Sequence, residues 1–250
     1  MSKVTRICLV GATGLVGSAL IAACVGRRDL KLVAVSRREA SLPKGARMEV
    51  FLAPTDGWSD AIAAAAPHVL VIALGTTWRK SGKDEAAFRA VDEKLVLDCA
   101  RWGLAAGAKH LIVVSSVGAN IGAKGFYLRV KGEVEQALAK LGYPRLDVLR
   151  PGLLVGPRQE FRLFELIAQL LAPVVDVFLR GKYAKYRSID GDVLAQSILA
   201  ITQQKARGRF VFEHDDLLRA LRRQALEQSV RDAVHGGNGR DGSGTSGAVD

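Results

Sequence analysis

A tyrosine and a lysine four residues apart form the first group of side chains that could do chemistry. Tyr127 and Lys131 lie in a stretch with helical periodicity, and their spacing places both side chains on one face of a helix. A phenol is a weak acid, and a neighbouring ammonium favours its ionised form. Two serines, Ser115 and Ser116, follow a short apolar run, and a serine hydroxyl at that point could bond a carbonyl oxygen that gains negative charge. These residues predict proton transfer at a carbonyl or alcohol.

A glycine-rich turn near the start of the chain forms the second group. It reads Gly11-Ala-Thr-Gly14-Leu-Val-Gly17 and stands between an apolar run and a helical stretch. Gly11 permits a sharp turn, Gly14 lets the backbone approach a pyrophosphate, and Gly17 allows a helix to pack closely on a strand. The free amides at the start of that helix can bind the pyrophosphate. The turn therefore predicts a dinucleotide site with contacts from Gly11, Thr13, Gly14, Leu15, Val16 and Gly17.

The residues after the second apolar run indicate which dinucleotide binds. Ser36-Arg37-Arg38 stands where an NAD site would carry an acidic residue for the ribose 2′-hydroxyl. A small residue followed by arginines instead suits the 2′-phosphate of NADP, because a guanidinium pairs well with a phosphate. The sequence predicts NADP as the cofactor, with NAD as the alternative.

The elements that must position these groups follow from hydrophobic periodicity. Continuous apolar runs, typical of strands covered on both faces, occupy residues 6–10, 32–35, 48–52, 69–74, 111–114 and 146–149. Helical periodicity covers residues 14–25, 85–106 and 127–141. Such alternation predicts an α/β fold with a doubly wound parallel sheet, the Rossmann fold.

The chain is expected to form one domain. Residues 1–234 are predicted as a dinucleotide-binding Rossmann domain, with a core over residues 1–150 and a small substrate-side cap over residues 151–234. The cap is predicted to hold helices at about 161–178, from Asp190, and at about 215–234, and a strand at 209–212. Residues 235–250 are rich in glycine and lack apolar periodicity, which predicts a disordered tail.

Composition narrows the classes of function. A chain of 250 residues with 49% hydrophobic content is long enough to bury a full core. Three scattered cysteines indicate reduced packing residues and a cytoplasmic location, and four dispersed histidines indicate no metal site. The net charge of +11 comes without a nucleic-acid-binding motif, so no nucleic-acid partner is predicted. The longest apolar stretch, 166–175, is too short for a membrane span. A small-molecule substrate is expected, and a homodimer is the expected assembly if the chain self-associates.

These residues, taken in order, resemble the short-chain dehydrogenase/reductase superfamily in its extended or atypical branch. The resemblance is carried by the glycine turn, the two serines after strand five, the Tyr-x-x-x-Lys pair and Arg150-Pro151-Gly152 after strand six. Within that branch, residues 74–77, 127–135, 149–154 and 158–160 look most like the Tat-interacting protein (CC3-like) group. The resemblance covers about residues 4–215.

The resemblance implies roles for single residues. Tyr127 would be the catalytic acid/base, and Lys131 would hold the nicotinamide ribose and favour the phenolate. Ser116, with Ser115 as the alternative, would be the catalytic serine that orients the carbonyl. Gly75 and Thr76 would pass beside the adenine ribose and pyrophosphate, and Pro151 and Gly152 beside the nicotinamide carboxamide. The chain departs from the family at Asp92, where an asparagine is common. It also departs at residues 50–53, which lack the acidic residue that often meets the adenine.

Hydride transfer between NADPH and a carbonyl or its alcohol is the interpretation that fits these observations. One alternative keeps the fold without the chemistry: an NADPH-sensing regulator that binds partner proteins. Another is a sugar-nucleotide epimerase or dehydratase, which the short region after strand six disfavours. The apolar residues 161–178 either line the substrate pocket or pack in the core.

Overall fold

A sheet of seven parallel strands organises the molecule. The computed structural model describes residues 4–76, 81–156 and 181–236. The strands of this sheet are β1 (Thr5–Val10), β2 (Leu30–Ser36), β3 (Glu49–Leu52), β4 (Val69–Ile72), β5 (His110–Val114), β6 (Arg145–Leu149) and β9 (Gly208–Phe212). Their order across the sheet is β3-β2-β1-β4-β5-β6-β9, and every neighbouring pair is parallel. The predicted doubly wound parallel sheet is confirmed, with strand ends within two residues of the prediction.

Helices cover both faces of the sheet. They are α1 (Leu15–Ala23), α2 (Trp58–Ala65), α3 (Glu85–Arg89), α4 (Val96–Ala105), α5 (Phe126–Ala139), α6 (Gly191–Thr202) and α7 (His214–Gly236). The cluster of buried apolar side chains on one face comes from α2, α4 and α5, and the cluster on the other from α1, α6 and α7. Strands between such layers are expected to be apolar on both faces, and every residue of β4 is apolar and buried. Strand β6 is also buried throughout, although it includes Arg145 and Asp147. Burying each large aliphatic side chain contributes about 1.5–3 kcal/mol.

The stretch predicted as one helix over residues 85–106 differs from the prediction. A π-helix, Ala90–Leu95, separates α3 from α4. Its wider turn places Asp92 in the interior, where the residue is 1% exposed. Hydrophobic periodicity did not predict this interruption, because apolar residues continue through it.

The part of the chain predicted as a cap contains more structure than expected. Strands β7 (Leu154–Val155) and β8 (Ile189–Asp190) form a separate two-stranded parallel sheet. Helix α6 follows Asp190, whose carboxylate accepts the amide of Asp192 and caps the helix as the prediction requires. Helix α7 continues to Gly236, which lies two residues into the tail predicted from residue 235. The rest of that tail and the helix predicted at 161–178 lie outside the described residues. No helix of the described ranges has the length and apolar character needed to span a membrane.

Candidate functional site

The predicted site residues gather at one edge of the sheet. The glycine turn follows β1, the arginine pair follows β2, Gly75 follows β4, the two serines follow β5 and Pro151 follows β6. Because the strands are parallel, their carboxyl ends share an edge, which is where doubly wound sheets bind ligands.

The glycine turn is built by close backbone approaches. Gly11 has a φ of +98°, and a Cβ there would lie 2.5 Å from the carbonyl oxygen of Ala73. A Cβ on Gly17 would lie 2.2 Å from the carbonyl oxygen of Gly11. Gly14 is the N-cap residue of helix α1, so the helix has no side-chain cap, and its first turn carries no acidic residue. The amides of that turn and its partial positive charge are therefore open to an anion.

The other side chains of the glycine turn are either exposed to solvent or packed against neighbouring residues. Thr13 is exposed and Val16 is buried. The Leu15 side chain fills the space next to two glycines, since a Cβ on Gly156 or Gly191 would lie 2.9 or 3.2 Å from its atoms. Leu15 and Val16 can therefore reach a cofactor through their backbone amides, while their side chains support the turn.

The segment after β2 holds two arginines at the surface. The Ser36 hydroxyl donates to the carbonyl of Arg38 at 2.7 Å and accepts the Arg38 amide at 3.3 Å, which fixes a tight turn. Arg37 and Arg38 are both exposed. Neither guanidinium has an ion-pair partner within the described ranges, so both are open to an anionic ligand.

Lys131 is buried in an ion pair with Asp92. The Lys131 Nζ lies 2.8 Å from Asp92 Oδ1, and these side chains are 7% and 1% exposed. Asp92 Oδ2 accepts the amide of Thr76 at 2.7 Å, which connects the pair to the segment after β4. The same Nζ lies 5.9 Å from the centroid of the half-buried Tyr127 ring, whose edge meets Phe88. The tyrosine and lysine thus share one face of α5, as predicted.

The two serines after β5 have different surroundings. The Ser115 hydroxyl donates to Glu135 Oε1 at 2.6 Å and is buried. Glu135 also accepts two bonds from Arg150, at 3.0 Å from Nε and 2.5 Å from Nη2. These bonds raise the pKa of the Arg150 guanidinium. Ser116 is half-buried and makes only a long contact of 3.4 Å to the carbonyl of Val117, so its hydroxyl remains available for a ligand.

A small cavity separates the Lys131 pair from the Glu135 network. Its volume is about 10 Å³, at the lower limit of what is needed to hold one water molecule. Asp92, Lys131, Ser115 and Glu135 line it together with four valines. Sequence reasoning missed Glu135 and Arg150 as site residues. The spacing Tyr127, Lys131, Glu135, which repeats every four residues along one helix, was the signal available for Glu135.

Two further predicted contacts, Pro151 and Gly152, follow β6. The Pro151 carbonyl accepts the amide of Val117 at 3.0 Å, so this segment is tied to the one that carries the serines. A Cβ on Gly152 would lie 2.2 Å from the carbonyl oxygen of Arg187. Close approach of the Arg187 backbone therefore requires a glycine at this position.

Comparisons with known proteins place this geometry in a family. The family model described as HIM1 matches residues 65–178. The mitochondrial protein fmp52 of Aspergillus fumigatus is 31% identical over 199 residues, which cover 77% of this chain and 84% of that protein. The mitochondrial fmp52 of Emericella nidulans is 30% identical, over 67% of this chain and 74% of that protein.

Solved structures share the fold at low sequence identity. PbgP3 from Burkholderia pseudomallei superposes with a TM-score of 0.64 at 14% identity, covering 92% of this chain and 82% of its own. The Bordetella bronchiseptica enzyme WbmG, in complex with NAD and UDP, superposes with a TM-score of 0.63 at 17% identity. The match covers 84% of this chain and 73% of WbmG. These likenesses confirm the Rossmann fold that the superfamily resemblance implies.

The relatives correct two expectations drawn from the sequence. The predicted likeness to the Tat-interacting (CC3-like) group is wrong, because the family model and the curated relatives belong to a different group. The predicted cytoplasmic location is also wrong, because the relatives are named mitochondrial proteins. At this identity and coverage, the chain belongs to the fmp52 family.

Proposed function

We propose that this protein is an oxidoreductase of the short-chain dehydrogenase type, which transfers hydride between NADPH and a small carbonyl or alcohol. The observation that carries the proposal is the arrangement on α5. A buried Lys131 lies beside Tyr127, next to the strand end that holds Ser116 and at the same sheet edge as the glycine turn. The names of the fmp52 relatives state no reaction, so the site itself supplies the argument.

The residues that would hold the cofactor fit a dinucleotide with a 2′-phosphate. The excluded Cβ positions at Gly11 and Gly17 and the uncapped start of α1 suit the pyrophosphate. Arg37 and Arg38 suit the 2′-phosphate, because they are exposed and not used in ion pairs within the described residues. We propose that the rest of the cofactor contacts Gly75, Thr76, Pro151 and Gly152. A bound nicotinamide would supply or accept the hydride.

The chain's own side chains would handle the proton. Ser116 would donate a hydrogen bond to the substrate oxygen and so stabilise negative charge that develops there. Tyr127 would give a proton to that oxygen, or take one from it, and Lys131 would hold the ribose and the tyrosine in place. Ser115 is less suited to the serine role, because its hydroxyl is bonded to Glu135.

The test is turnover by the wild type and matched variants. NADPH oxidation is followed by absorbance with a panel of aldehydes, ketones and quinones. Tyr127→Phe keeps the ring and removes only the hydroxyl, so we expect the rate to fall about a hundredfold to ten-thousandfold with unchanged NADPH affinity. Tyr143→Phe removes a hydroxyl that bonds the Ala100 carbonyl away from the site, and its turnover should match the wild type.

Two outcomes would contradict the proposal. Turnover that survives Tyr127→Phe would exclude the assigned proton donor. Tight NADPH binding with no turnover across the panel would favour the alternative of a cofactor-sensing regulator.

Adding UDP-sugars to the panel tests the epimerase alternative, since solved neighbours include proteins in complex with UDP-glucose and NAD.

The proposal extends to the organisation and location of the protein. We take residues 1–234 as one functional unit, in which residues 151–234 cover the substrate side of the sheet, and a homodimer as its assembly. We also propose a mitochondrial location, because the relatives carry that location in their names. Localising a tagged chain by cell fractionation tests the last point directly.

A further inference from the structure

We propose that Glu135 is a positioning residue for the candidate site, acting through Ser115 and Arg150. These three residues form the Glu135 network, which attaches the ends of β5 and β6 to helix α5. The network thereby holds Ser116 and the segment after β6 in place relative to Tyr127. The inference rests on the proposed function in taking the segment after β6 as the part of the chain that contacts the nicotinamide.

The carboxylate of Glu135 accepts hydrogen bonds from the residue that directly follows each strand. Ser115, after β5, donates its hydroxyl to Oε1 at 2.6 Å. Arg150, after β6, donates from Nε to Oε1 at 3.0 Å and from Nη2 to Oε2 at 2.5 Å. A bidentate pair of this kind fixes the orientation of both groups as well as their distance, which a single hydrogen bond does not. Glu135 therefore attaches α5 to both strand ends at once.

Backbone hydrogen bonds extend this attachment to the residues beyond the strands. The amide of Ser115 donates to the carbonyl of Leu149 at 2.7 Å. The amide of Val117 donates to the carbonyl of Pro151 at 3.0 Å. Ser116 lies between these two bonds, so its position depends on how the paired segments are held. The Glu135 network holds them at the residue before Ser116 and at the residue before Pro151.

The helix carries the other half of the candidate site on the same face. Tyr127, Lys131 and Glu135 follow one another at intervals of four residues along α5. Lys131 pairs with Asp92, which accepts the amide of Thr76 and so attaches the middle of this face to the segment after β4. Glu135 attaches the next turn to β5 and β6. A shift of α5 relative to these strands would break the network, so the network sets how the tyrosine faces the serine.

Stability alone does not account for a carboxylate at this position. The side chains of Glu135 and Arg150 are 3% and 23% exposed. Taking such charges out of water costs much of what their attraction returns, so apolar residues of similar volume often stabilise a protein equally well. Valines already line the cavity beside Glu135, where an apolar side chain could pack against them. An apolar side chain could not bond both strand ends, which is what the carboxylate does.

The affinities for two nucleotides test this role, measured by isothermal titration calorimetry on the full chain. The ligand 2′-phospho-ADP-ribose is NADPH without its nicotinamide, so we expect the wild type to bind NADPH more tightly. Glu135→Gln keeps the size of the side chain, but its amide group cannot accept bonds from both nitrogens of Arg150. NADPH affinity should then fall about tenfold, the value of one or two hydrogen bonds to the nicotinamide, while 2′-phospho-ADP-ribose affinity stays nearly unchanged.

Glu133→Gln is the matched control on the same helix. It removes a carboxylate that pairs with Arg89 outside the Glu135 network, so both affinities should equal those of the wild type. Arg150→Lys keeps the test decisive if Glu135→Gln does not fold. It retains the positive charge but loses the bidentate geometry, and it should show the same selective loss of NADPH affinity. Circular dichroism verifies that each variant is folded.

Three results would overturn the role of Glu135 alone. They are equal losses for both ligands in the two variants, unchanged NADPH affinity in the two variants, and a wild type that binds both ligands equally well. A wild type that binds neither nucleotide would overturn the proposed function and this role together. Turnover does not enter the measurement, so a failure of catalysis is a separate result.

Discussion

At the scale of single residues, the polar side chains at the carboxyl edge divide into those bonded within the protein and those open to a ligand. Ser115, Asp92 and Glu135 are buried and bonded, whereas Ser116 and the two arginines after β2 are accessible. A buried polar group without a partner costs about 1–3 kcal/mol, so the bonded set contributes to stability as well as to the shape of the site. The side chains that remain available to contact a ligand are therefore Ser116, Arg37 and Arg38.

Cofactor choice gives the first prediction at this scale. Changing Arg37 and Arg38 to alanine removes two exposed guanidinium groups beside the end of β2. A charge-assisted bond to phosphate is worth about 1.5–3 kcal/mol, so we expect NADPH affinity to fall about tenfold to a hundredfold, with NADH affinity nearly unchanged. Fluorescence titration with both nucleotides measures this. Arg28→Ala, at the amino end of the same strand, is the control, and equal losses for both nucleotides would exclude a 2′-phosphate site.

The sequence predicted those residues whose roles depend on local pattern. The glycine turn and the Tyr127–Lys131 pair could be found because their spacing, and the elements before and after them, carry the signal. The sequence did not predict the contacts that Asp92, Glu135 and Arg150 make at the site, since these contacts arise from tertiary packing that periodicity does not encode. For Glu135, only the four-residue spacing from Lys131 was available as a signal. The choice of Ser116 over Ser115 likewise depends on the side chain of Glu135, from a different element.

At the scale of elements, helix α5 carries Tyr127 and Lys131, which we propose as catalytic residues, and Gly132 fixes how closely this helix approaches the loop after β5. A Cβ on Gly132 would lie 2.4 Å from the carbonyl carbon of Asn120 and 2.6 Å from the amide nitrogen of Ile121. Both neighbours are backbone, so only movement of the helix or the loop can relieve the clash. The distance between α5 and this loop is therefore fixed at Gly132, the residue after Lys131.

Gly132→Ala should destabilise the protein even though alanine favours helices. Overpacking typically costs about 1–3 kcal/mol, which exceeds the gain of up to about 1 kcal/mol in helix propensity. We expect a lower free energy of unfolding in urea, and reduced turnover because Tyr127 and Ser116 move apart. Gly125→Ala is the control, since nothing lies within 4 Å of its Cβ position. If both variants unfold at the same urea concentration, the close approach is not a constraint.

The sequence predicted the buried central strands correctly, but it did not predict helix α2 or the break between α3 and α4. The central strands β1, β2, β4 and β5 are mostly buried on both faces, so their apolar runs are unambiguous. The sequence analysis did not predict helix α2, whose eight residues are fewer than those of any helical stretch that it did predict. The break between α3 and α4 was missed because one inserted residue in a π-turn leaves a helical pattern almost intact.

At the scale of the whole molecule, the edge formed by the amino ends of the strands differs in its side chains from the edge formed by their carboxyl ends. At the amino edge, Asp147 accepts a bond from Arg145 at 2.7 Å and lies 2.6 Å from His110 Nε2, all of them buried. Arg145 also stacks on Phe210 and donates to the carbonyl of Ala206, which attaches the edge strand β9 to β6. This buried network stabilises the amino edge of the sheet, and the opposite edge is the one at which we propose that the cofactor binds.

The cysteines give a prediction for the stability of the whole molecule at alkaline pH. Burial raises the pKa of the Cys8 thiol to about 12 and that of Cys24 to about 11, and it raises that of Cys99 well above its usual range. Thiols in the unfolded chain titrate near pH 8.5, roughly the value for free cysteine. Above that pH the unfolded state releases protons that the folded state retains. Each such thiol therefore lowers the free energy of unfolding as pH rises, by up to about 1.4 kcal/mol per pH unit.

Cys8→Ala removes one of these titrating groups from the centre of β1. The variant should be less stable than the wild type at pH 7, because it leaves a cavity, yet its stability should fall less steeply between pH 9 and 11. Urea unfolding at a series of pH values measures both effects. Val10→Ala creates a comparable cavity in the same strand without removing a thiol, so it should lower stability at every pH and keep the wild-type slope. If Cys8→Ala and Val10→Ala decline in parallel, the Cys8 thiol does not hold its proton in the folded state, and the loss of stability at alkaline pH must come from other groups.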